Sequence, residues 1–162
     1  MSAKAGTRSV THHSFTIERE LPHAPGRVFA AWADPKAKAA WFGAPKSLCT
    51  EVIREQDFKV GGKERLRGKW NNGRTSDFHC VYQDIVRDRR IVYCYNMYVN
   101  DEKLSVSLAT IEFESAKVGG KAGTKLVLTE QGAYFDDHQD GGPSREQGTR
   151  GLVEMLSKYL DG

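Results

Sequence analysis

The C-terminal stretch Ser144–Gly162 (SREQGTRGLVEMLSKYLDG) places the strongest constraint on the fold. Its apolar residues recur at the spacing of one helical face, namely Leu152, Val153, Met155, Leu156, Tyr159 and Leu160. Ser144 followed by Gln147 matches a capping box, which predicts that the helix begins there. Gly148 and Gly151 fall on the same inward face, although Gly costs about 1 kcal/mol relative to Ala in a helix. We therefore predict a helix whose C-terminal half packs on a sheet and whose N-terminal half stands over a gap, a candidate ligand site.

The composition is typical of one globular domain of 162 residues, with 39% hydrophobic and 28% charged residues. No apolar run reaches the roughly 20 residues that a membrane span needs, and the N-terminus lacks the apolar region of a signal peptide. The three cysteines (Cys49, Cys80 and Cys94) form no CxxC pattern. These features predict a cytoplasmic protein. The net charge of +3 comes from basic residues spread among acidic ones, which favours a mixed solvated surface over nucleic-acid binding.

The rest of the sequence predicts a first strand, two short helices and then six strands separated by turns. Residues 1–13 are polar and are predicted to form a disordered tail before a single domain at 14–162. Phe15 to Glu20 alternate as a strand, and Pro25 and Asp34-Pro35 then start two helices. Six further strands are predicted at 48–57, 63–70, 76–86, 91–99, 104–114 and 124–132, with 115–123 as a long hairpin loop. This order predicts an α+β fold, in which a curved antiparallel sheet wraps around the C-terminal helix.

The gap beneath the helix has a predicted lining. Its candidate ligand-binding residues come from the two short helices, the inward strand faces and the last helix: Phe29, Trp32, Trp41, Phe42, Glu64, Leu66, Trp70, Phe78, Cys80, Tyr82, Tyr93, Tyr95, Met97, Gly148, Gly151, Leu152 and Met155. Glu130 is a further polar candidate. The aromatic residues of the two short helices fit an ordinary core as well as a ligand lining.

Glu64 is the sharpest candidate for chemistry. Its strand carries basic residues at alternate positions, which places them on the solvent face: Lys63, Arg65, Arg67 and Lys69. Glu64 then points to the core side, which is unusual for an acid. A carboxylate facing an apolar cavity has its pKa raised by desolvation and could act as an acid or base. The alternatives are a salt bridge to an unidentified partner, or a strand face that opens to water.

Motifs that would define a catalytic or metal centre are missing from the sequence. No GxSxG, P-loop or HExxH pattern occurs, so no catalytic residue is assigned. The acidic loop with Asp136, Asp137, His138 and Asp140 matches no standard metal-ligand spacing, and a solvated loop is favoured. We therefore predict neither a metal ion nor a cofactor.

Seven stretches, taken in order, resemble a known family: FTIEREL, RVFAAWADPKAKAAWFG, DFKVGGKE, YQDIVRDRRIVYCYNM, SVSLATIEFE, GTKLVLTEQGAYFD and REQGTRGLVEMLSKYL. Together they resemble the helix-grip fold of the SRPBCC superfamily, the START and birch-pollen-allergen group. Within it, the chain resembles the branch named after the C-terminal domain of the activator of heat-shock protein 90 ATPase. The resemblance implies a central cavity, which in related proteins holds lipids, sterols, polyketides or other apolar molecules. Thr149 stands where the wider branch often has Trp, so the smaller residue would enlarge the cavity mouth.

Three functions are expected in descending order. The first is a cytoplasmic carrier or sensor of an apolar small molecule, acting as a monomer or homodimer. The second is an enzyme of cyclase, dehydratase or hydrolase type, similar to polyketide cyclases, that works in the same cavity. The third is a stress-response accessory of a chaperone ATPase, which is weaker because the co-chaperone that names the branch has an additional N-terminal domain. Convergent polar side chains in the cavity would favour catalysis over simple binding.

Overall fold

The computed structural model describes residues 8–138 and 141–162. In chain order the elements are β1 (Val10–Leu21), α1 (Pro25–Ala33), α2 (Pro35–Trp41), β2 (Cys49–Gln56), β3 (Lys63–Trp70), β4 (Thr75–Val86), β5 (Arg90–Val99), β6 (Glu102–Val118), β7 (Lys121–Phe135) and α3 (Gly142–Asp161). The strands form one antiparallel sheet in the order β1-β7-β6-β5-β4-β3-β2, which stays open because β1 and β2 are its edges. The predicted α+β helix-grip architecture is confirmed. None of the described helices is both long and apolar enough to span a membrane.

The β6–β7 hairpin is longer than the sequence predicted. Ser115 pairs with Thr124 and Val118 with Lys121, so the predicted long loop at 115–123 is wrong. Only Gly119 and Gly120 remain as the turn, and both have positive φ angles of 57° and 78°. Two glycines with positive φ form a tight hairpin turn whose twist matches that of the strands. The residues on either side of the turn therefore continue the β-ladder.

Strand β1 also extends beyond its predicted start at Phe15. It begins at Val10 and pairs along its whole length with β7, from Val10 opposite Phe135 to Leu21 opposite Thr124. Residues 10–13 were predicted in the disordered tail and instead belong to this ladder. Apart from Val10 their side chains are polar and gave no strand signal, but backbone pairing with β7 does not require apolar side chains. The rest of the predicted tail, residues 1–7, lies outside the described residues.

Each of the three helices has a proline in its first turn. Pro25 and Pro35 open α1 and α2, and the Asp34 side chain caps α2 by accepting a hydrogen bond from the Lys36 backbone N–H at 3.2 Å. Helix α3 begins at Gly142, with Pro143 in its first turn and no side-chain cap. The predicted capping box at Ser144 is therefore wrong, since Ser144 already lies inside the helix.

The inward face of α3 differs in phase from the prediction. Four of its buried residues follow a spacing of four, three and four positions, namely Thr149, Val153, Leu156 and Leu160, and Ser157 is buried beside them. Gly151 is exposed with open space around it, and Met155 is 46% exposed, so the prediction that both face the sheet is wrong. Apolar residues occupy four of the five positions 152–156, which left the rotation of the helix underdetermined by periodicity alone.

Polar pairs hold α3 against the edge strand at both ends and in the middle. Each pair joins β1, or the residues just after it, to one turn of the helix, with nitrogen–oxygen distances of 2.7 to 3.0 Å. These contacts fix the register of α3 on the sheet, while apolar packing supplies the larger stabilisation. The pairs are His13 with Glu146, Arg19 with Glu154, and His23 with Asp161.

We expect Leu156→Ala to lower the free energy of unfolding by about 2–5 kcal/mol, because it opens a void in the core under α3. Leu156 has no exposed surface, whereas its neighbour Met155 is half exposed. Met155→Ala is the matched control and should change stability by no more than about 0.5 kcal/mol. Denaturant titration of both variants measures this, and equal losses would contradict the assigned helix face.

Candidate functional site

A cavity of about 650 Å³ lies between the inner face of the sheet, α2 and the N-terminal half of α3. Many of the predicted ligand-binding residues line it: Trp32, Trp41, Phe42, Leu66, Trp70, Phe78, Tyr93, Tyr95, Met97, Gly148 and Leu152. Asn72, Ser144 and Gly148 belong to the lining and are also exposed, so they mark the mouth of the cavity. The glycine-containing half of α3 borders this space through Gly148.

The other predicted residues lie away from this cavity. Phe29, Glu64, Cys80 and Tyr82 are buried in the core beyond its closed end, and Gly151 and Met155 face away from it on α3. Strand alternation indicates which residues share the inner face, but not how far along the strand the space is filled. Here the rings of Phe29 and Tyr82 both pack edge-on against Phe58, which closes that end.

Glu64 points inward, as predicted, and has a charged partner in the core. Its Oε1 atom lies 2.7 Å from Lys38 Nζ and also accepts a short hydrogen bond from the Tyr82 hydroxyl. Lys38 is 2% exposed and Glu64 is 3% exposed. Gln56 donates to the Tyr82 oxygen at 3.1 Å and to the Trp32 carbonyl at 2.9 Å. The salt-bridge alternative is therefore correct, and Glu64 is not a free acid in the cavity.

Aromatic rings surround the buried ammonium group. Lys38 Nζ lies 4.4 Å from the centroid of the Phe42 ring, 5.5 Å from that of Trp32 and 5.8 Å from that of Tyr93. Ring faces attract a cation, so they offset part of the cost of removing Lys38 from water. Burial, together with the neighbouring Glu64 charge, raises the pKa of Tyr82 above its ordinary value. The network joins α2 to β3 and β4 beside the cavity.

A second polar cluster lies in the cavity wall and joins three strands to α3. The Tyr95 hydroxyl of β5 donates to Glu130 Oε1 of β7 at 2.7 Å. Arg145 of α3 donates from Nη1 to the Tyr95 oxygen at 2.8 Å, and from Nη2 to Ser105 Oγ of β6 at 2.9 Å. Arg145 therefore compensates the Glu130 charge through an intervening tyrosine hydroxyl rather than by direct contact.

Burial dominates the electrostatics of this cluster. It raises the pKa of Glu130, while the hydrogen bond from Tyr95 and the positive charge of Arg145 act in the opposite direction. The guanidinium carbon of Arg145 lies 5.4 Å from the ring centroids of both Tyr95 and Tyr134. Among the residues that the structure describes, Glu130 Oε2 and Trp32 Nε1 are buried without a hydrogen-bond partner. Both atoms are enclosed by the protein, so neither faces the open part of the cavity.

Arg145 is the main site residue that the sequence reasoning missed. A signal was present, because Arg145 precedes Thr149 by four positions and Thr149 precedes Val153 by four, which places all three on one helical face. A helix that begins at Ser144 would have Arg145 in its first turn, where charged residues are usually solvated. Glu130 was identified as a polar candidate and lines the cavity.

No group of three or more His, Cys, Asp or Glu side chains in the described part of the chain is arranged to hold a metal ion. The acidic loop after β7 contributes Asp136, Asp137 and His138 to that part. Asp140, the remaining residue considered for this loop, lies outside it.

The family described as Activator of Hsp90 ATPase homolog 1-like protein matches residues 22–161, so the chain belongs to this branch of the SRPBCC superfamily. A protein from Rhizobium loti is 40% identical, with a TM-score of 0.83 over 93% of this chain and 99% of its own. An uncharacterised protein from Rhizobium leguminosarum is 36% identical, with a TM-score of 0.86 over 95% and 97%. An AHSA1-like protein from Aeromonas hydrophila, 20% identical over 92% of each chain, shares the fold with a TM-score of 0.62. The comparison with curated proteins found no match.

We expect Glu64→Gln to lower the free energy of unfolding by about 3–5 kcal/mol, because Lys38 would remain buried without its charged partner. Denaturant titration measures the change. Glu51→Gln is the control, since it breaks a pair with Arg54 in which the Glu51 side chain is 43% exposed. The control should lose less than about 1 kcal/mol, and a similar small loss for Glu64→Gln would argue against a structural role for the buried pair.

Proposed function

We propose that this protein binds an apolar small molecule in the cavity between the sheet and α3, as a carrier or sensor. The observation that carries the proposal is the cavity of about 650 Å³, whose walls are mainly aromatic and aliphatic. Its volume falls within the range of small-molecule sites, roughly 300–1,000 Å³. Lipids, sterols and polyketide-like compounds are the classes that match these walls. The family supports the proposal, because its fold in general accommodates hydrophobic ligands.

A second candidate function is an enzyme of cyclase, dehydratase or hydrolase type in the same cavity. The observation in its favour is the convergence of Glu130, Tyr95 and Arg145 on one wall. A buried carboxylate with a raised pKa is suited to proton transfer, and a neighbouring guanidinium can stabilise developing negative charge. Mass spectrometry of compounds recovered after incubation separates the two functions, since unchanged compounds support binding and dehydrated, cyclised or hydrolysed ones support catalysis. A chaperone accessory role is a weaker proposal because it rests on the family name alone.

We expect at least one member of a panel of fatty acids, sterols and aromatic polyketides to raise the melting temperature. At a free concentration near 100 Kd the shift should be about 5–10 °C, because the ligand binds only the folded state. Gly148→Trp should abolish this shift, since Gly148 lies at the mouth with open space beside it.

Gly151→Trp is the matched control, because Gly151 lies on the same helix and faces away from the cavity. Both variants replace a helical glycine with tryptophan, so their effects on helix propensity are similar. Thermal melts with and without each compound give the comparison. The proposal fails if no compound shifts the parent, or if Gly148→Trp responds like Gly151→Trp.

A further inference from the structure

The sheet ends at β1 on one side, and half of the residues of that strand direct their backbone groups away from it. In an antiparallel pair, hydrogen-bonded and non-hydrogen-bonded residue pairs alternate along the strands. The Asp136 N–H donates to the Ser9 carbonyl at 2.9 Å, which sets this alternation for β1 and β7. The odd-numbered residues of β1 therefore bond to β7, and the N–H and C=O groups of the even-numbered ones point outward without a partner among the described residues. These six residues are Val10, His12, Ser14, Thr16, Glu18 and Glu20, and all six are exposed.

The opposite edge strand, β2, carries features that hinder pairing with a further strand, and β1 lacks most of them. β2 has eight residues, its register with β3 shifts between Glu51 and Ile53, and Arg54 and Glu55 add further charge. β1 has twelve residues in unbroken register with β7, and it contains no proline. Between Val10 and Ile17 its only titratable side chains are two histidines. Short length, bulges and charges protect edge strands from pairing, so β1 is the edge that stays open to another strand.

A second copy of β1 fits this edge because the strand is complementary to itself. Antiparallel pairing about a two-fold axis at Phe15 places each of the six outward-directed residues opposite another of the six, so every outward backbone group is paired. In this register His12 lies opposite the partner's Glu18, and the symmetry repeats the pair. The His12 side chain has no partner among the described residues, and Glu18 has only an exposed contact of 3.6 Å with Lys125. An imidazole opposite a carboxylate is a favourable cross-strand pair, and no like charges come opposite each other.

We propose that β1 is a dimer interface, at which two copies of the chain join their edge strands into one continuous antiparallel sheet. Main-chain hydrogen bonds supply the affinity, as they do wherever an extended strand adds to an open sheet edge. The register centred on Phe15 and the pair of His12 with the partner's Glu18 supply the specificity. None of the residues of β1 lines the cavity under α3, so the dimer and the proposed ligand site stand or fall separately.

Sedimentation velocity over a series of protein concentrations measures the dimer, and Ser14→Pro tests where it forms. Proline removes the outward N–H of Ser14, and its ring occupies the place of the incoming strand, while the bonds to β7 are kept. We expect the dissociation constant of the dimer to rise by at least about tenfold. Ser14→Ala is the matched control, because it keeps the N–H and should dissociate like the parent.

A charge swap tests the register without disturbing the backbone. His12→Glu places two carboxylates opposite each other at both symmetric positions and should weaken the dimer about tenfold. Adding Glu18→Arg to that variant restores opposite charges, so the dissociation constant should return close to that of the parent. This arm decides the proposal even if Ser14→Pro does not fold.

Amide hydrogen exchange reports directly on the strand. The amides of His12, Ser14, Thr16 and Glu18 should exchange slowly at high protein concentration and rapidly at low concentration. A chain that stays monomeric at its highest soluble concentration overturns the proposal, and so does a dimer that neither Ser14→Pro nor the charge swap affects. Slow exchange of these amides in a monomer would show that another segment of the same chain covers the edge, which also overturns it.

Discussion

The cavity depends on a mismatch between the inner face of the sheet and the helix that covers it. The C-terminal half of α3 fills its share of that face with Leu156 and Leu160, both buried. Its N-terminal half presents Thr149, and Gly148 supplies no side chain at the mouth. Rings on the opposing strands cannot cross the remaining distance, so close packing, which proteins otherwise reach in their cores, is not reached there. A void with apolar walls is the physical result.

A buried ion pair lies behind the aromatic wall of the void. Lys38 and Glu64 form a desolvated pair that joins α2 to the sheet, and the rings of Phe42, Trp32 and Tyr93 surround the ammonium group. The same aromatic side chains form part of the cavity wall, so a collapse of the wall would disturb the buried charges. Removing one member of such a pair costs far more than an exposed pair contributes. This network thus links the stability of the fold to the shape of the site.

Much of the architecture followed from local patterns, whereas the site depended on contacts between elements. Strand alternation and proline signals gave the order of elements, and the basic face of β3 correctly turned Glu64 inward. The partner Lys38 could not be inferred, because it lies on a helix 26 positions earlier and looks like an ordinary surface lysine in sequence. The rotation of α3, and with it the roles of Arg145, Gly151 and Met155, is set by which side chains fit the sheet. Periodicity in a helix rich in apolar residues does not determine that rotation.

We propose above all that the cavity under α3 is a ligand site. A crystal structure of the protein with decanol tests it most directly. We expect density for the alkyl chain among Trp41, Phe78 and Leu152. Density for decanol on the outer surface, or a cavity that stays free of it at saturating concentration, would contradict the account.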